Sequence, residues 1–195
     1  ELETRTMTYV RTSSSRPAEE FVDDLDNSNR VAQAVISGLG AERTYVILDA
    51  LIDSDRGHYV RHGLIDRRYN PRMGSRVVRN LLGAFNSGEL RLCTRELDRI
   101  EGGRLGVFRR STDYLYLVLP EPLVASFSVP IKTGLSPLSG SIQRIDLATG
   151  VISSFECHTG SDPQTTVSLE PSIETPTVFV VAANEETGRR TAMGS

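Results

Sequence analysis

The chain has 195 residues, of which 38% are hydrophobic and 24% are charged, and its formal net charge at pH 7 is −3. This composition is typical of a soluble globular protein. The acidic balance argues against a nucleic-acid binder, which would normally present a basic surface to phosphates. No apolar run approaches the roughly 18 residues of a transmembrane helix, so we expect no membrane partner.

The start of the sequence and its cysteines bear on the origin of the chain. It begins without a methionine and shows no signal-peptide pattern, so we expect a fragment or a processed product of a longer protein. The compartment is left open, with the cytoplasm favoured. Cys93 and Cys157 have no CxxC spacing, which favours free thiols packed as small apolar groups. A single disulfide stays open if the protein is exported.

The first half of the sequence predicts two strand–helix units. The segment ETRTMTYVRT, residues 3–12, is rich in β-branched residues and predicts a strand. Asn27 or Ser28 can cap the helix that follows, and glycines end it. The segment RTYVILDALI, residues 43–52, is a nearly continuous apolar run, as a strand buried on both faces requires.

A second helix and a run of strands follow a charged loop. Asn70 can cap this helix, Pro71 suits its first turn, and Gly88 ends it. From about residue 89, short strand candidates are separated by Gly, Pro, Asn, Asp and Ser, and Thr149-Gly150 predicts a hairpin turn. Eight strands in roughly 95 residues, without a helical period, predict an antiparallel β-sandwich.

The predicted fold class is therefore α/β plus all-β. We expect a βαβα portion at residues 1–88, a β-sandwich at 89–186 and a disordered tail at 187–195. A βαβα piece of this size cannot close a barrel or bury both faces of a parallel sheet. The missing sheet is expected to come from a partner chain or from an upstream segment.

Charged residues and two histidines crowd the segment that follows the apolar run. In α/β barrels and open parallel sheets, ligands bind at the carboxyl ends of the strands. Carboxylates there would suit hydrogen bonds to sugar hydroxyls or acid–base work. The candidates for substrate binding are Asp49, Asp53, Asp55, Arg56, His58, Arg61 and His62, with Asp66 and Arg67 beside them. The alternative is a salt-bridged loop that fastens the last helix to the sheet.

Two patterns in this loop partly match known metal sites. Asp53-x-Asp55-x-Gly57 matches a calcium loop only in part, because the glycine falls one position early and Leu64 stands where a glutamate is required. The nearby pair of histidines lacks a third ligand for zinc. We therefore expect no metal and no cofactor.

The order of these segments resembles the C-terminal part of a clan-A-type glycoside hydrolase of the β-xylosidase and α-L-iduronidase group. The likeness is carried by ELETRTMTYV, a capped helix, RTYVILDALIDSDRGHYVRHGLIDRRYNPR, a second helix and a β-sandwich. It implies a (β/α)8 barrel against which the sandwich packs. Residues 1–12 would then be strand seven and residues 43–52 strand eight, and GLIDRRYNPR would lead into the last helix.

The same resemblance implies an activity and its residues. In this clan a nucleophilic glutamate ends strand seven, which makes Glu3 the first candidate and Glu1 the second. The acid/base glutamate ends strand four, which this chain lacks, so hydrolysis through a glycosyl-enzyme intermediate would require a second contributor. The alternative from the residues alone is that both glutamates are exposed terminal charges.

Two functions follow from this sequence. The first is the C-terminal segment or small subunit of a retaining glycoside hydrolase, with a complementary larger chain carrying the rest of the barrel and a carbohydrate as substrate. The alternative is a non-catalytic carbohydrate-binding or interaction module. The chain has no Trp, and Tyr114, Tyr116 and Phe127 are expected to fill core rather than to stack on sugars. An autonomous α+β protein with an unrelated role also stays open.

Overall fold

Two helices lie between a small parallel sheet and a large antiparallel sheet in the computed structural model of this chain. Neither described helix is long and apolar enough to cross a membrane. The structure describes residues 5–11, 20–39, 43–56, 59–61, 63–86, 90–92, 97–110, 113–122, 128–132, 139–158, 164–168 and 173–182.

The first unit is a strand, a helix and a second strand parallel to the first. Its elements are β1 (Thr6–Arg11), α1 (Glu20–Leu39) and β2 (Thr44–Asp49). The two strands pair in parallel, with Thr6 opposite Thr44 and Arg11 opposite Asp49. Parallel pairing requires a crossover connection, which α1 provides. Both strands lie within the ranges that the sequence predicts for them.

The first helix begins earlier than the sequence predicts. Because α1 starts at Glu20, the predicted caps Asn27 and Ser28 lie inside the helix, where both are buried. The predicted cap was wrong because Leu25 is also buried, so the packed face extends further back along the chain. Burial against the neighbouring layers outweighs the low helix propensity of Asp, Asn and Ser here.

A short hairpin and a second helix follow β2. The hairpin strands β3 (Ser54–Arg56) and β4 (Tyr59–Arg61) pair antiparallel, and α2 spans Met73–Phe85. The N-cap of α2 is Arg72, with no side-chain cap hydrogen bond. The predicted cap at Asn70 was therefore wrong by two residues.

The packed face of α2 follows the helical spacing that the sequence predicts. Its buried residues Val77, Leu81 and Phe85 are spaced by four. The ring of Phe85 meets that of Phe108 edge-on, with centroids 5.1 Å apart and an interplanar angle of 89°, an arrangement that aromatic pairs prefer. The helix ends at Phe85, earlier than predicted, and Gly88 lies outside the described residues.

The second half of the chain is antiparallel β, as predicted. Its described strands are β5 (Leu90–Leu92), β6 (Asp98–Ile100), β7 (Gly103–Arg110), β8 (Asp113–Pro120), β9 (Ser128–Lys132), β10 (Ser139–Asp146), β11 (Ile152–His158), β12 (Gln164–Ser168) and β13 (Thr177–Ala182). Seven of them form one sheet in the order β11-β10-β13-β8-β7-β5, with β6 also paired to β7, and β9 pairs separately with β12. That the two sheets form a sandwich stays a prediction.

The hairpin turn between β10 and β11 falls at Thr149-Gly150, where the sequence predicts it. Gly150 has a φ of 80°, a conformation that glycine adopts without steric cost. The carboxylate of Asp146 accepts hydrogen bonds from the amides of Ala148 at 2.8 Å and Thr149 at 3.1 Å. Asn80 of α2 donates to the Leu147 carbonyl at 2.8 Å, so the second helix is fastened to this turn.

One hydrophobic core joins the helices to the large sheet and so crosses the predicted domain boundary at residues 88 and 89. Its buried members are Val31, Ala32, Val35, Ile36, Val77, Leu81 and Phe85 on the helices, and Phe108, Leu115, Leu117, Leu119, Leu147 and Val178 in the sheet half. A second buried cluster, around Tyr116, Ile142 and Phe179, forms another core of the same sheet. The boundaries themselves stay predictions.

Candidate functional site

The site is built on the face of the parallel sheet that points away from α1. Side chains alternate between the two faces of a strand. Val10 is buried, and Val46 lies so close to Gly38 of α1 that an added Cβ there would be 2.5 Å from its methyl group. Residues at odd positions therefore share the opposite face. We call this set the open face; it consists of Arg5, Met7, Tyr9, Tyr45, Ile47 and Asp49.

The open face is apolar in its centre and exposed. Met7 is 67% exposed, Tyr9 56%, Tyr45 51% and Ile47 39%. The prediction that the second strand is buried on both faces is therefore not met within this chain, because one of its faces is open. Four large apolar side chains on two adjacent strands form a contiguous patch, and such patches mark interaction surfaces.

Polar pairs stand at the two ends of the open face. Arg5 donates to the hydroxyl of Tyr45 at 3.1 Å, with its guanidinium 6.0 Å from the ring centroid. At the carboxyl ends of the strands, the hydroxyl of Tyr9 donates to the carboxylate of Asp49. The Asp49–Ala50 peptide bond that follows is cis. The Tyr9–Asp49 pair thus occupies the position where parallel sheets bind ligands.

Asp53 is held at the base of the β3–β4 hairpin. Its carboxylate accepts three hydrogen bonds from Arg72, at 3.0, 3.1 and 2.7 Å, and one from the amide of Gly63 at 2.8 Å. Arg72 also reaches Asp24 of α1 at 3.2 Å. The side chains of Asp53 and Arg72 are only 11% and 16% exposed. These are the contacts of a loop that fastens the last helix to its neighbours.

Gly63 follows the β3–β4 hairpin and lies against the segment that precedes it, where only glycine fits. A Cβ at this position would lie 2.5 to 2.8 Å from backbone atoms of Ile52 and Asp53, a distance at which backbone must move. This close approach allows two backbone hydrogen bonds. The amide of Ile65 donates to the Leu51 carbonyl at 2.9 Å, and the amide of Asp53 donates to the Ile65 carbonyl at 3.0 Å. The segments on either side of the hairpin are therefore tied together by their backbones.

A tight turn precedes α2. The carboxylate of Asp66 accepts from the amides of Arg68 and Asn70, both at 2.8 Å, and from the Asn70 side chain at 3.0 Å. The Asn70 side-chain and backbone hydrogen bonds lower the pKa of Asp66 below its ordinary value, and the Arg68 amide and the Arg72 charge act in the same direction. Tyr69, within this turn, has a φ of 66° and is 76% exposed.

The structure brings some of the predicted site residues together and leaves others undescribed. Asp49 lies on the open face, and Asp53 lies beneath the hairpin. Asp55, Arg56 and Arg61 are on the hairpin strands, where Asp55 pairs with Val60 and Arg61 with Ser54. His58, His62, Glu1 and Glu3 lie outside the described residues. Both glutamates precede Thr6, the first residue of β1, and all these roles stay predictions.

Three residues of this region were not singled out from the sequence: Tyr9, Tyr69 and Arg72. The alternation of side chains along the first strand could have indicated Tyr9, because it places Met7 and Tyr9 on one face of the sheet and Val10 on the other. Arg72 has no comparable signal, because its partner Asp53 is 19 residues away.

Among the described residues, no group of three or more His, Cys, Asp or Glu side chains is arranged to hold a metal ion.

A second concavity lies between α1 and the large sheet. This cleft of about 270 Å³ is lined by Asp26, Asn29, Arg30, Gln33, Arg104, Leu119, Pro120, Glu121 and Pro122. Arg104 donates to Gln33 at 3.0 Å, and the amide nitrogen of Asn29 donates to the Pro120 carbonyl at 2.8 Å, whereas the side-chain oxygen of Asn29 is buried without a hydrogen-bond partner among the described residues. No residue of the parallel sheet lines it, so it is separate from the open face.

No protein-family model matches this sequence, and no curated protein matches it. Solved structures do match. A glycoside hydrolase family 30 endoxylanase from Clostridium papyrosolvens has a TM-score of 0.56 and 11% identity, over 91% of this chain and 42% of that one. A family 30 subfamily 8 xylanase from Clostridium acetobutylicum has a TM-score of 0.56 and 10% identity, over 91% of this chain and 42% of that one.

The chain thus spans less than half the length of either xylanase, and at such identities the likeness concerns the fold alone. The shared portion includes almost the whole of this chain, so it contains both the strand–helix units and the antiparallel sheet. The chain therefore has a glycoside-hydrolase-like fold over part of the length of such an enzyme.

Proposed function

We propose that this chain is the C-terminal segment or small subunit of a retaining glycoside hydrolase, in which β1 and β2 complete a parallel barrel. The remaining strands would be supplied by an upstream segment or by a complementary larger chain. The observation that carries this proposal is the open face of the parallel sheet. Among the described strands, β1 and β2 pair only with each other, and a two-stranded sheet is marginal without further strands.

The size of the open face supports the addition of more sheet. Burial of the exposed fractions of Met7, Tyr9, Tyr45 and Ile47 is worth about 4 kcal/mol in total, from roughly 2 kcal/mol for each fully buried side chain. Each strand also has an outer edge whose backbone groups can continue a parallel ladder. Additional strands would use both features, whereas a globular partner would use only the apolar patch.

The polar end of the open face would then point into the substrate cleft. In a closed barrel the face opposite the helices is the interior, and its carboxyl end is the ligand end. Asp49, oriented by the hydroxyl of Tyr9, would accept hydrogen bonds from sugar hydroxyls there. The hairpin that follows would bring Asp55, Arg56, His58, Arg61 and His62 toward the same cleft.

The proposed chemistry is a double displacement by two carboxyl groups. One carboxylate attacks the anomeric carbon while the other group protonates the leaving oxygen, and water then hydrolyses the glycosyl-enzyme intermediate. This chemistry needs a nucleophile at the carboxyl end of β1, beside Asp49. Glu3 and Glu1, which the resemblance implies as nucleophiles, precede Thr6, the first residue at the amino end of that strand. The nucleophile and the acid/base residue would therefore both come from other parts of the barrel.

The alternative module would place sugar-stacking aromatics on the antiparallel sheet. Tyr116 is fully buried there, and Tyr114 is half-buried with the guanidinium of Arg109 5.8 Å from its ring centroid. These described aromatics of the sheet therefore do not favour the binding-module reading.

Activity of the complete native protein on a panel of aryl glycosides tests the proposal. We expect hydrolysis of at least one aryl glycoside, with an Asp49→Asn variant about tenfold lower in kcat/KM, the value of one lost charge-assisted hydrogen bond. Asp98→Asn, at an exposed carboxylate of β6, is the matched control and should leave kcat/KM unchanged. No hydrolysis of any glycoside by the complete protein would contradict the proposal, as would equal losses in both variants.

A further inference from the structure

Tyr69 combines an uncommon backbone conformation with an exposed aromatic ring. Its φ of 66° lies in the left-handed region, which glycine, asparagine and aspartate tolerate far better than an aromatic residue. Its side chain is 76% exposed, so the ring contributes little to the described core. Backbone strain of this kind persists where the surroundings over-determine it, and it concentrates at ligand sites.

The turn that carries Tyr69 is held by an unusually complete set of hydrogen bonds. The Asp66 carboxylate accepts three, from Arg68 and Asn70. The Tyr69 amide donates to the Asp66 carbonyl at 3.0 Å, and the Asp66 amide donates to the Asn70 carbonyl at 2.9 Å. The backbone on both sides of Tyr69 is therefore fixed.

Both ends of the turn are also anchored to the segment that follows β2. On one side, the amide of Ile65 donates to the Leu51 carbonyl at 2.9 Å. On the other side, Arg72 donates to Asp53 at 2.7 Å. Tyr69 thus stands on a rigid support in the loop that leaves the carboxyl end of the parallel sheet, where the proposed substrate cleft lies.

We propose that Tyr69 is a fixed stacking platform for one pyranose ring of an oligosaccharide substrate, away from the bond that is cleaved. This inference rests on the proposed function. One face of a pyranose ring presents C–H groups, which pack on the face of an aromatic ring. Because the backbone that carries the ring is already ordered, a sugar that stacks on it costs little backbone entropy.

We predict that the effect of changing Tyr69 on kcat/KM depends on the length of the substrate. A contact with a remote sugar unit contributes to the transition state only when that unit is present. In the complete native protein, Tyr69→Ala should lower kcat/KM for a six-unit oligosaccharide by about tenfold, the upper range for one aromatic contact. It should change kcat/KM for an aryl monoglycoside by less than about twofold. Tyr69→Phe keeps the ring and should behave like the native protein.

Tyr69→Gly separates stacking from structure. Glycine adopts the left-handed conformation freely, so this variant keeps the turn, and its melting temperature should match or exceed that of the native protein. Its oligosaccharide activity should nevertheless fall as in Tyr69→Ala. Glycine also raises the entropy of the unfolded chain, which costs at most about 1 kcal/mol, or roughly 4 °C. A melting temperature of Tyr69→Gly that falls by more than this would mean that the ring packs against protein, and it would overturn the platform.

The assays use xylohexaose and maltohexaose beside aryl monoglycosides, and affinity electrophoresis in gels that contain soluble xylan or starch. Equal losses on long and short substrates, or no loss on either, would overturn the inference. If no substrate is hydrolysed, the proposed function fails, and the gels then decide separately. If the polysaccharide slows the native protein in the gel and does not slow Tyr69→Gly, the platform is supported. If it slows both equally, or slows neither, the platform is overturned.

Discussion

The Asp53–Arg72 pair gives the sharpest prediction about stability. Its two side chains are 11% and 16% exposed and share three hydrogen bonds between 2.7 and 3.1 Å. Asp53→Ala removes this charge-assisted pair, worth about 2 kcal/mol, and leaves the amide of Gly63 without its acceptor, for about 1 kcal/mol more. We expect the free energy of unfolding to fall by about 3 kcal/mol and the melting temperature to fall by about 10 °C.

A double-mutant cycle isolates the pair itself. Asp53→Ala, Arg72→Ala and the double variant are unfolded in urea, and their coupling energy is compared with that of Arg99 and Glu121. The control pair is 3.6 Å apart, with side chains 84% and 49% exposed, so its coupling should be below about 0.5 kcal/mol. We expect about 2 kcal/mol for the buried pair. Coupling energies that agree within about 0.5 kcal/mol would refute the structural role of Asp53.

Two further variants test the same loop. Gly63→Ala places a methyl group 2.5 Å from the Ile52 backbone and should destabilise the protein by about 2 kcal/mol or more. Gly83→Ala is the control, because the space around Gly83 is open, and it should not destabilise the protein. Equal urea midpoints for the two variants would contradict the close approach at Gly63. Asp66→Asn tests the lowered pKa of Asp66. Because the folded-state pKa is depressed, the carboxylate stabilises the turn above its ordinary value of 3.8 and loses that effect as the pH falls below it. The melting-temperature advantage over Asp66→Asn should therefore be present at neutral pH and disappear in acid, and an advantage that grows in acid would be inconsistent with these hydrogen bonds.

The sequence predicts elements well where periodicity and composition dominate. The strands at Thr6–Arg11 and Thr44–Asp49, the buried face of α2 and the turn at Thr149-Gly150 all follow from local patterns. Helix starts were harder to predict, because packing rather than capping decides them. Asn27 is buried within α1, although the sequence around it reads as a helix cap.

The site is less accessible to sequence reasoning because its contacts are distant along the chain. The sequence indicates a charged loop after the second strand, but not that Asp53 is held by Arg72 at the base of the hairpin. The hydrogen bond between Tyr9 and Asp49 joins residues 40 positions apart, and only the parallel register of the two strands brings them together. The left-handed conformation of Tyr69 has no signal in residue type, since glycine or asparagine would be expected there.

The open face makes a direct prediction about the complete protein, which solvent footprinting can measure. Met7 lies in the centre of that face and is 67% exposed in this chain, whereas Met73 on α2 is partly buried in the helix core. We expect hydroxyl-radical oxidation of Met7 to be strongly suppressed in the complete native protein relative to the isolated chain, with Met73 unchanged between them. Met7 that oxidises equally fast in both forms would contradict the claim that further strands cover this sheet.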